Sequence, residues 1–212
     1  MKLTIFGATG ATGVQLIEQA LASGNQVVAY ARNPLKIGIS HERLTIVQGE
    51  LSDTLAIERA VNGADAVISV LGPRPGEDRN SWPLSQGMRN ILAVMQETAV
   101  RRLIVSSTPS ANDPNDLPDL KFKVLVGLLK SLMRPAYEEI VSVARLVRAS
   151  DTDWTIVRVS MLNNKPGMGK IRVGYLGKKQ VGTNLSRTDL AAFLLDQVRD
   201  STWLRQAPAL SN

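Results

Sequence analysis

Residues 2–13, KLTIFGATGATG, open the chain and decide how the rest of it is arranged. The stretch begins with a short apolar run, from Leu3 to Phe6, which is typical of a buried parallel strand. It then carries three regularly spaced glycines, Gly7, Gly10 and Gly13. Apolar side chains recur at helical spacing over residues 14–21. The stretch therefore predicts a strand, a glycine-rich turn and a helix, in that order.

Each glycine of this turn has a physical role in holding a dinucleotide. Gly7 permits the tight turn after the strand, Gly10 lets a pyrophosphate approach the backbone, and Gly13 lets the helix pack closely on the strand. The free N–H groups and the dipole at the start of the helix favour phosphate groups. The residues predicted to bind the cofactor in this turn, two threonines among them, are Gly7, Thr9, Gly10, Ala11, Thr12 and Gly13.

The end of the second predicted strand, Gln26 to Tyr30, indicates which dinucleotide is bound. An acidic residue about 20 residues past the glycines would bind the ribose hydroxyls of NAD, and this chain has no acid there. Arg32, Asn33 and Lys36 follow instead. A guanidinium matches a 2′-phosphate through two hydrogen bonds, and Lys36 adds positive charge. The pattern favours NADP(H) over NAD(H), although a solvated arginine at a strand end would look the same.

Further strands and helices alternate along the rest of the chain. Strands are predicted at 44–47, 64–71, 102–106 and 154–159, and helices at 54–61, 83–99 and 135–149. Ser52 or Asp53 is expected to cap the first of these helices. The apolar face of the second is interpreted as core, and its residues are Leu84, Met88, Ile91, Leu92 and Met95. The alternation predicts an α/β fold, a doubly wound parallel sheet flanked by helices, in one domain over residues 1–212.

The composition excludes several other classes of protein. The chain has no cysteine and one histidine, His41 in a polar loop, so a disulfide scaffold, a metal site and a Ser-His-Asp triad are not expected. The formal charge is +6, but the basic residues are scattered, so a small anionic ligand is expected rather than nucleic acid. No apolar run is long enough to span a membrane. Because Met1 leads straight into a strand, no signal peptide is expected, and the protein is expected to be cytoplasmic.

Seven segments carry a pattern that extends over nearly the whole chain. They are GATGATG (7–13), ARNPLK (31–36), QGEL (48–51), SVLG (69–72), VSST (105–108), DWTIVR (153–158) and SRTDLAAFLL (186–195). Together they resemble the small atypical short-chain dehydrogenase/reductases, which include NADPH-dependent flavin and biliverdin reductases and NAD(P)H-binding nitrogen-repression regulators. The resemblance implies a Rossmann-type fold with a small substrate-side layer, formed by residues about 161–185 and the C-terminus.

The resemblance also implies cofactor contacts outside the glycine-rich turn. Relatives contact the adenine through a Gly-Asp-Leu segment, where this chain has Glu50 and Leu51. The remaining implied contacts come at the ends of three later strands. The residues that follow the last of these strands, Leu162 included, are expected beside the nicotinamide. These contacts are Leu71, Gly72, Ser106, Ser107, Val159, Ser160 and Met161. The loop from Pro73 to Ser81 is expected to line the mouth of the substrate site.

Two catalytic candidates come from the same resemblance, Thr108 and Tyr137. The catalytic Ser or Thr of the superfamily matches Thr108, whose hydroxyl would polarise a carbonyl. In the superfamily a catalytic Tyr precedes a Lys by four residues, and the Lys lowers the pKa of the Tyr. Tyr137 is followed at that spacing by Val141, which disfavours this mechanism. Histidines implicated near the substrate in related flavin reductases are replaced here by Ala144 and Met161.

Three functions are compatible with these residues. The favoured one is an NADPH-dependent reductase of flavins, quinones or similar conjugated acceptors, because hydride transfer to such rings needs mainly proximity and stacking. The second is a non-catalytic NADP(H) sensor, and the third is an epimerase or isomerase with a tightly held cofactor. The missing Tyr-Lys pair weighs against the third. A monomer or a homodimer is expected.

Three segments in the second half of the chain carry further predictions. Residues 117–134, LPDLKFKVLVGLLKSLMR, combine an apolar helical pattern with lysines. This combination is compatible with a lid over the substrate, a dimer surface, a membrane-proximal helix or ordinary packing. The Gly- and Lys-rich segment 165–182 is expected to contain a hairpin around residues 174–177. Ser186 is predicted to cap the last helix, with Asp189 completing a pair that resembles a capping box.

Overall fold

The first strand and helix form where the glycine pattern predicts them. The computed structural model describes residues 1–73, 83–177 and 181–212, and it begins with β1 (Lys2–Phe6) and α1 (Ala11–Ala22). Side chains of β1 alternate between the two faces of the sheet, so that Leu3 and Ile5 lie in one hydrophobic core and Phe6 lies in the other. β1 is therefore buried on both faces, as a central parallel strand must be.

Six parallel strands form the centre of the sheet. After β1 they are β2 (Gln26–Ala31), β3 (Leu44–Gln48), β4 (Ala66–Ser69), β5 (Arg102–Ser107) and β6 (Asp153–Val159). Their order in space is β3-β2-β1-β4-β5-β6, so the direction of winding reverses between β1 and β4. This order confirms the predicted doubly wound α/β fold, which binds ligands in the crevice beyond the carboxyl ends of the strands at the reversal.

Helices cover both faces of this sheet. The remaining ones are α2 (Thr54–Val61), α3 (Pro83–Glu97), α4 (Leu120–Leu132), α5 (Arg134–Ala149) and α6 (Arg187–Asp196). α2, α3 and α5 contribute to the core that contains Phe6, whereas α1 and α6 contribute to the core that contains Leu3. Among the described residues, no helix is long and apolar enough to cross a membrane.

The helix caps and core residues follow the sequence prediction, except that two of the predicted core residues of α3 are only partly buried. Asp53 caps α2 by accepting a hydrogen bond from the Ala56 N–H at 2.9 Å. Met88, Ile91 and Met95 of α3 are fully buried, as expected of core residues. Leu84 and Leu92 are only partly buried against the same core. Leu84 lies in the first turn of α3, where it also faces the ligand crevice described below.

Short strands extend the sheet near the C-terminus. β7 (Met161–Asn163) pairs with β9 (Asn184–Ser186) in a separate parallel ribbon. β8 (Arg172–Gly174) pairs antiparallel with β10 (Ala209–Ser211), and β10 lies parallel to β6. The prediction of a hairpin around residues 174–177 is therefore wrong for the part of it that is described. The strand before the turn pairs with the end of the chain rather than with the segment that follows.

A buried carboxylate, Asp189, fastens the start of α6 to the preceding loop. It accepts hydrogen bonds from the N–H groups of Met168 and Gly169 and from the hydroxyl of Ser186. The Ser186 side chain in turn accepts from the Asp189 N–H, which confirms it as the cap of α6. Burial raises the pKa of Asp189, but these hydrogen bonds outweigh it and leave that pKa below its usual range.

A second carboxylate, the partly buried Asp116, holds the last strands together. Arg158 of β6 is fully buried, and its two terminal nitrogens lie 2.5 and 2.8 Å from the carboxylate oxygens of Asp116. Its Nε donates to the Ala207 carbonyl at 2.7 Å, and Asp116 also accepts from the Leu176 N–H at 2.9 Å. Burial raises the pKa of Asp116, but its hydrogen bonds, mainly from Arg158, more than offset this and lower it. The network joins β6 to the layer containing β8 and β10.

Candidate functional site

The glycine-rich turn between β1 and α1 leaves the start of the helix without a side-chain cap. Gly7 has a φ of +85°, which favours glycine, and its carbonyl accepts a hydrogen bond from the Gly10 N–H at 3.0 Å. Gly10 is the uncapped N-terminal residue, and a Cβ built on it would meet only the Gly7 carbonyl, at 3.4 Å. A Cβ on Gly13 would lie 2.9 Å from the backbone of Ala8. Gly13 therefore allows close packing, whereas Gly10 leaves open space in front of the helix.

A first cavity of about 340 Å³ lies between this turn, the ends of β2 and β4, and the first turn of α3. Buried Tyr30 forms part of its wall, and the Tyr30 hydroxyl donates a hydrogen bond to the Glu50 carbonyl at 2.7 Å. Burial, with smaller contributions from Asp53 and Glu50, raises the pKa of Tyr30 to about 12, so the phenol stays protonated. Other residues that line this cavity, all of them expected from sequence, are Gly7, Thr9, Arg32, Leu51, Leu71 and Gly72.

Positive side chains lie beside the same turn. Arg32, Asn33 and Lys36 line an adjoining cavity together with Gly10. The Arg32 Nε lies 3.8 Å from the Glu50 carboxylate, and both side chains are exposed to solvent, so this ion pair contributes little to stability. Two cations and one carboxylate therefore surround the entrance to the phosphate turn, and the carboxylate partly offsets the positive charge.

A second cavity, of about 260 Å³, continues the crevice toward the ends of β5 and β6. Its hydroxyl groups belong to Thr12, Ser106, Ser107, Thr108 and Ser160, and its apolar lining includes Val70, Leu71, Leu84, Ile140, Val143, Val159 and Leu162. None of the described lining residues carries a titratable side chain. The Thr108 Oγ1 accepts a hydrogen bond from the Ser110 N–H at 3.3 Å, which leaves the hydroxyl hydrogen free to donate to a ligand.

The first turn of α3 joins the two cavities. Leu84 lines both of them, and Gln86 and Gly87 line the first. A buried carboxylate from α5, Glu139, holds this turn by accepting hydrogen bonds from the Ser85 N–H at 2.7 Å and the Ser85 hydroxyl at 3.2 Å. Glu139 therefore caps α3 from another helix. Sequence periodicity identified the core face of α3 but gave no signal for this cap, because the two residues are 54 positions apart.

Four of the residues predicted from sequence do not line these cavities. Ala11 and Gly13 lie within α1, behind the turn. Met161 is 48% exposed, because β7 directs the neighbouring Leu162 into the second cavity instead. The ring of Tyr137 lies 5.8 Å from the Lys130 Nζ of α4, so it contacts that helix. The loop from Pro73 to Ser81 lies outside the described residues, except for Pro73 itself.

Sequence reasoning also missed several residues of the two cavities. The sequence predicts Tyr30 only as the end of the second strand and Leu84 only as a core residue. Ile140 and Val143 of α5 gave no signal, because the apolar face of a helix looks the same whether it contacts the sheet or a cavity. No local pattern could have identified them, because the order of the strands in the sheet places the first turn of α3 and one face of α5 beside the crevice.

The residues present fit a bound dinucleotide. The uncapped start of α1, the open space at Gly10 and the cations at the strand end suit a pyrophosphate and its neighbouring groups. Within the described parts of the chain, no group of histidine and acidic side chains could hold a metal ion. The site therefore has the features of an organic cofactor site at a topological switch point.

Comparison with known proteins defines the class of this protein. The sequence model of the NAD(P)H-binding family matches residues 7–201, and the chain belongs to this family. It is similar to the reductase pytE of Aspergillus terreus, with 28% identity over 92% of this chain and 90% of the relative. It is also 29% identical to the 2-alkyl-3-oxoalkanoate reductase of Shewanella oneidensis, over 50% of this chain and only 28% of that protein. The family is defined by the binding of NAD(P)H.

Solved structures show that the fold is shared with known proteins. The oxidoreductase ylbE of Lactococcus lactis superposes with a TM-score of 0.81 at 19% identity, covering 100% of this chain and 91% of its own. A short-chain dehydrogenase/reductase of Veillonella parvula in complex with NADP gives 0.77 at 21%, covering 100% and 94%. ChuY of Escherichia coli, an anaerobilin reductase, gives 0.79 at 19%, covering 99% and 96%. The expected resemblance to atypical short-chain dehydrogenase/reductases is confirmed at the level of family and fold.

Proposed function

We propose that this protein is an NADPH-dependent reductase that transfers hydride to a flavin, a quinone or a similar conjugated acceptor. The observation that carries the proposal is the second cavity, which has apolar walls, five hydroxyl groups and no titratable side chain among its described lining residues. Such a lining suits a flat, apolar acceptor that needs stacking and orientation more than acid catalysis.

The residues of the chain have separate roles in this proposal. The turn at Gly10 and the start of α1 bind the pyrophosphate, and the cofactor supplies the hydride. Apolar side chains such as Ile140, Val143 and Leu162 hold the acceptor and exclude water from its faces. The hydroxyl of Thr108 donates a hydrogen bond to the oxygen or nitrogen on which negative charge develops. Solvent supplies the proton.

Selectivity for NADP(H) is part of the same proposal. Arg32 and Lys36 stand beside the phosphate turn, where a 2′-phosphate would add two negative charges. The Glu50 carboxylate, 3.8 Å from the Arg32 Nε, reduces the advantage without removing it, because both side chains are exposed and screened by water. We therefore propose a preference of about tenfold, at the lower end of what a charge-assisted hydrogen bond provides.

The chain is proposed to act as one domain, residues 1–212, in which residues about 161–185 and the C-terminus form the substrate side. Ser160 and Leu162 support this division, because they line the second cavity at the point where the chain leaves β6. Asp189 supports it as well, since it ties residues 168 and 169 to the start of α6.

A panel of acceptors tests the proposed function. Initial rates of NADPH oxidation would be measured with free flavins, quinones, bilins and simple enones, and the Gly10→Val variant would serve as the control without cofactor binding. We expect turnover with at least one conjugated acceptor in the wild type and none in the variant. If calorimetry shows tight NADPH binding while no acceptor is reduced above the rate of the variant, the protein is a sensor rather than a reductase.

A further inference from the structure

Helix α4 exposes an apolar stripe to solvent. Its residues Leu120, Val124, Leu128 and Leu132 are 77%, 53%, 53% and 78% exposed, and their spacing of four residues places them on one face of the helix. The opposite face is anchored, because Phe122 is buried against Leu176 and Ala209. α4 therefore packs on the protein through its inner face and presents an apolar outer face to solvent.

The stripe is part of a larger apolar patch. Leu117, just before α4, and Met133, just after it, are also about half exposed, at 51% and 49%. Six of the twelve large hydrophobic residues that are exposed in the described chain fall within residues 117–133. Single exposed apolar residues are ordinary on a protein surface, but a contiguous group of this kind marks an interaction surface.

Every charged side chain of α4 that the structure describes is a lysine, and the acidic residue nearest the stripe, Asp119, precedes the helix and accepts a hydrogen bond from the Phe122 N–H at 3.4 Å. Lys123 and Lys130 are exposed and lie along one side of the stripe. The sequence has no acidic residue between positions 120 and 137. Lys130 also lies 5.8 Å from the centre of the Tyr137 ring. Arg134 is paired with Glu138 at 2.8 Å. Lys123 and Lys130 therefore place positive charge beside the stripe.

We propose that α4 docks on the surface of an anionic lipid bilayer, with its apolar stripe in the interface and its lysines at the headgroups. An exposed apolar face flanked by lysines is the arrangement of helices that lie in a membrane surface. With 13 residues, α4 is about 20 Å long, too short to span a bilayer, which takes about 20 residues. The helix therefore lies along the surface and not across it.

The charge pattern argues against a second copy of this chain as the occupant. A two-fold interface brings the same patch of both subunits together. Lys123 and Lys130 of one copy would then face those of the other, with no acidic residue between positions 120 and 137 to pair with them. Anionic headgroups, in contrast, complement these charges.

Docking would bring the acceptor cavity close to the lipid. α4 leads directly into α5, whose residues Ile140 and Val143 line the second cavity. An acceptor dissolved in the bilayer, such as a lipophilic quinone, is the natural substrate class for that arrangement. This consequence rests on the proposed function, whereas docking itself does not.

Vesicle flotation tests the docking. The purified full-length protein would be mixed with vesicles of phosphatidylcholine alone or with an equal share of phosphatidylglycerol. We expect binding to the anionic vesicles that is about tenfold or more stronger than binding to the neutral ones, and that falls as salt is added. Equal binding to both vesicles, or binding to neither, would overturn the proposal.

Matched variants distinguish binding through the stripe from nonspecific adsorption to the vesicles. Leu128→Asp is expected to reduce binding about tenfold or more, and Leu55→Asp, a substitution at a residue that is 67% exposed on α2, is expected to leave it unchanged. Lys123→Gln combined with Lys130→Gln should weaken binding to anionic vesicles only. Circular dichroism would confirm that all variants are folded. If sedimentation shows a wild-type dimer that Leu128→Asp converts to monomers, the patch is an interface between copies and the proposal is wrong.

Docking and reductase activity can fail independently in this design. Flotation requires no turnover, so a protein that binds anionic vesicles but reduces no acceptor would retain the docking proposal and lose the proposed function. A protein that reduces water-soluble quinones but does not bind vesicles would retain the proposed function and lose the docking proposal.

Discussion

The two cavities of this protein are built in different ways. The first is lined by residues of the glycine-rich turn, by the end of β2 and by exposed charges such as Arg32 and Glu50. The second is lined by hydroxyl and apolar groups from distant parts of the chain, from Thr12 to Leu162, and by no titratable group among its described residues. The difference indicates that binding of the cofactor depends on a few fixed backbone and charge positions. Under the proposed function, reaction with the acceptor depends on a shape to which many side chains contribute.

The largest effect is expected in the first cavity, from Gly10→Val. A side chain at Gly10 would occupy the space in front of α1 that the pyrophosphate needs, so we expect binding of NADPH to be lost. The fold should survive, because a Cβ at Gly10 meets only one backbone atom, at 3.4 Å. Calorimetry would measure the affinity, and a thermal melt followed by circular dichroism would measure folding.

Gly13→Val is the matched control for this variant. A Cβ at Gly13 would lie 2.9 Å from the backbone of Ala8, so overpacking should destabilise the protein. The pair separates a ligand role from a packing role within one turn. Retained NADPH binding by a folded Gly10→Val protein would show that Gly10 does not face the phosphates.

A smaller effect is expected in the second cavity, from Thr108→Ala. Loss of one hydrogen-bond donor to a developing negative charge should lower kcat by up to about 10²-fold, with little change in the KM for NADPH. Thr108→Ser keeps the hydroxyl and should retain most of the activity. Turnover of both variants on the best acceptor would be compared with that of the wild type. An equal loss in the two variants would contradict a role for the hydroxyl.

An effect of about tenfold is expected from Arg32→Ala at the edge of the first cavity. Removing a charge-assisted contact with the 2′-phosphate should weaken NADPH binding by about this factor and leave NADH binding nearly unchanged. The control is Arg89→Ala, because Arg89 is exposed on α3 away from both cavities. Calorimetry with both cofactors gives the ratio of affinities. Equal affinities for NADPH and NADH in the wild type would refute the assignment.

The smallest effect is expected from Tyr137→Phe. Tyr137 does not line the second cavity, and its ring lies beside Lys130 of α4, so kcat should change by less than about threefold. A loss above about 10⁴-fold would exceed ordinary general acid–base catalysis. It would mean that Tyr137 acts as a catalytic acid in a closed form of the site.

The predictions based on local sequence agree with the structure where one short segment is sufficient. β1, the turn and α1 lie where the glycines predict them, and Asp53 and Ser186 cap α2 and α6. The errors have a common cause in pairing between distant segments. Local turn residues predict a hairpin around residues 174–177, but β8 pairs with β10, which lies more than 30 residues later in the chain.

The sequence by itself determined the dinucleotide-binding unit and the alternation of strands and helices that predicts an α/β fold, because backbone conformation at glycine and the period of apolar residues are local properties. The tertiary structure alone decided that Leu84, Ile140 and Val143 face a cavity, since an apolar helical face does not reveal what it packs against. It also decided that Glu139 caps α3 and that the outer face of α4 stays exposed. Each of these depends on which segments meet in space, and no pattern within a single segment records that.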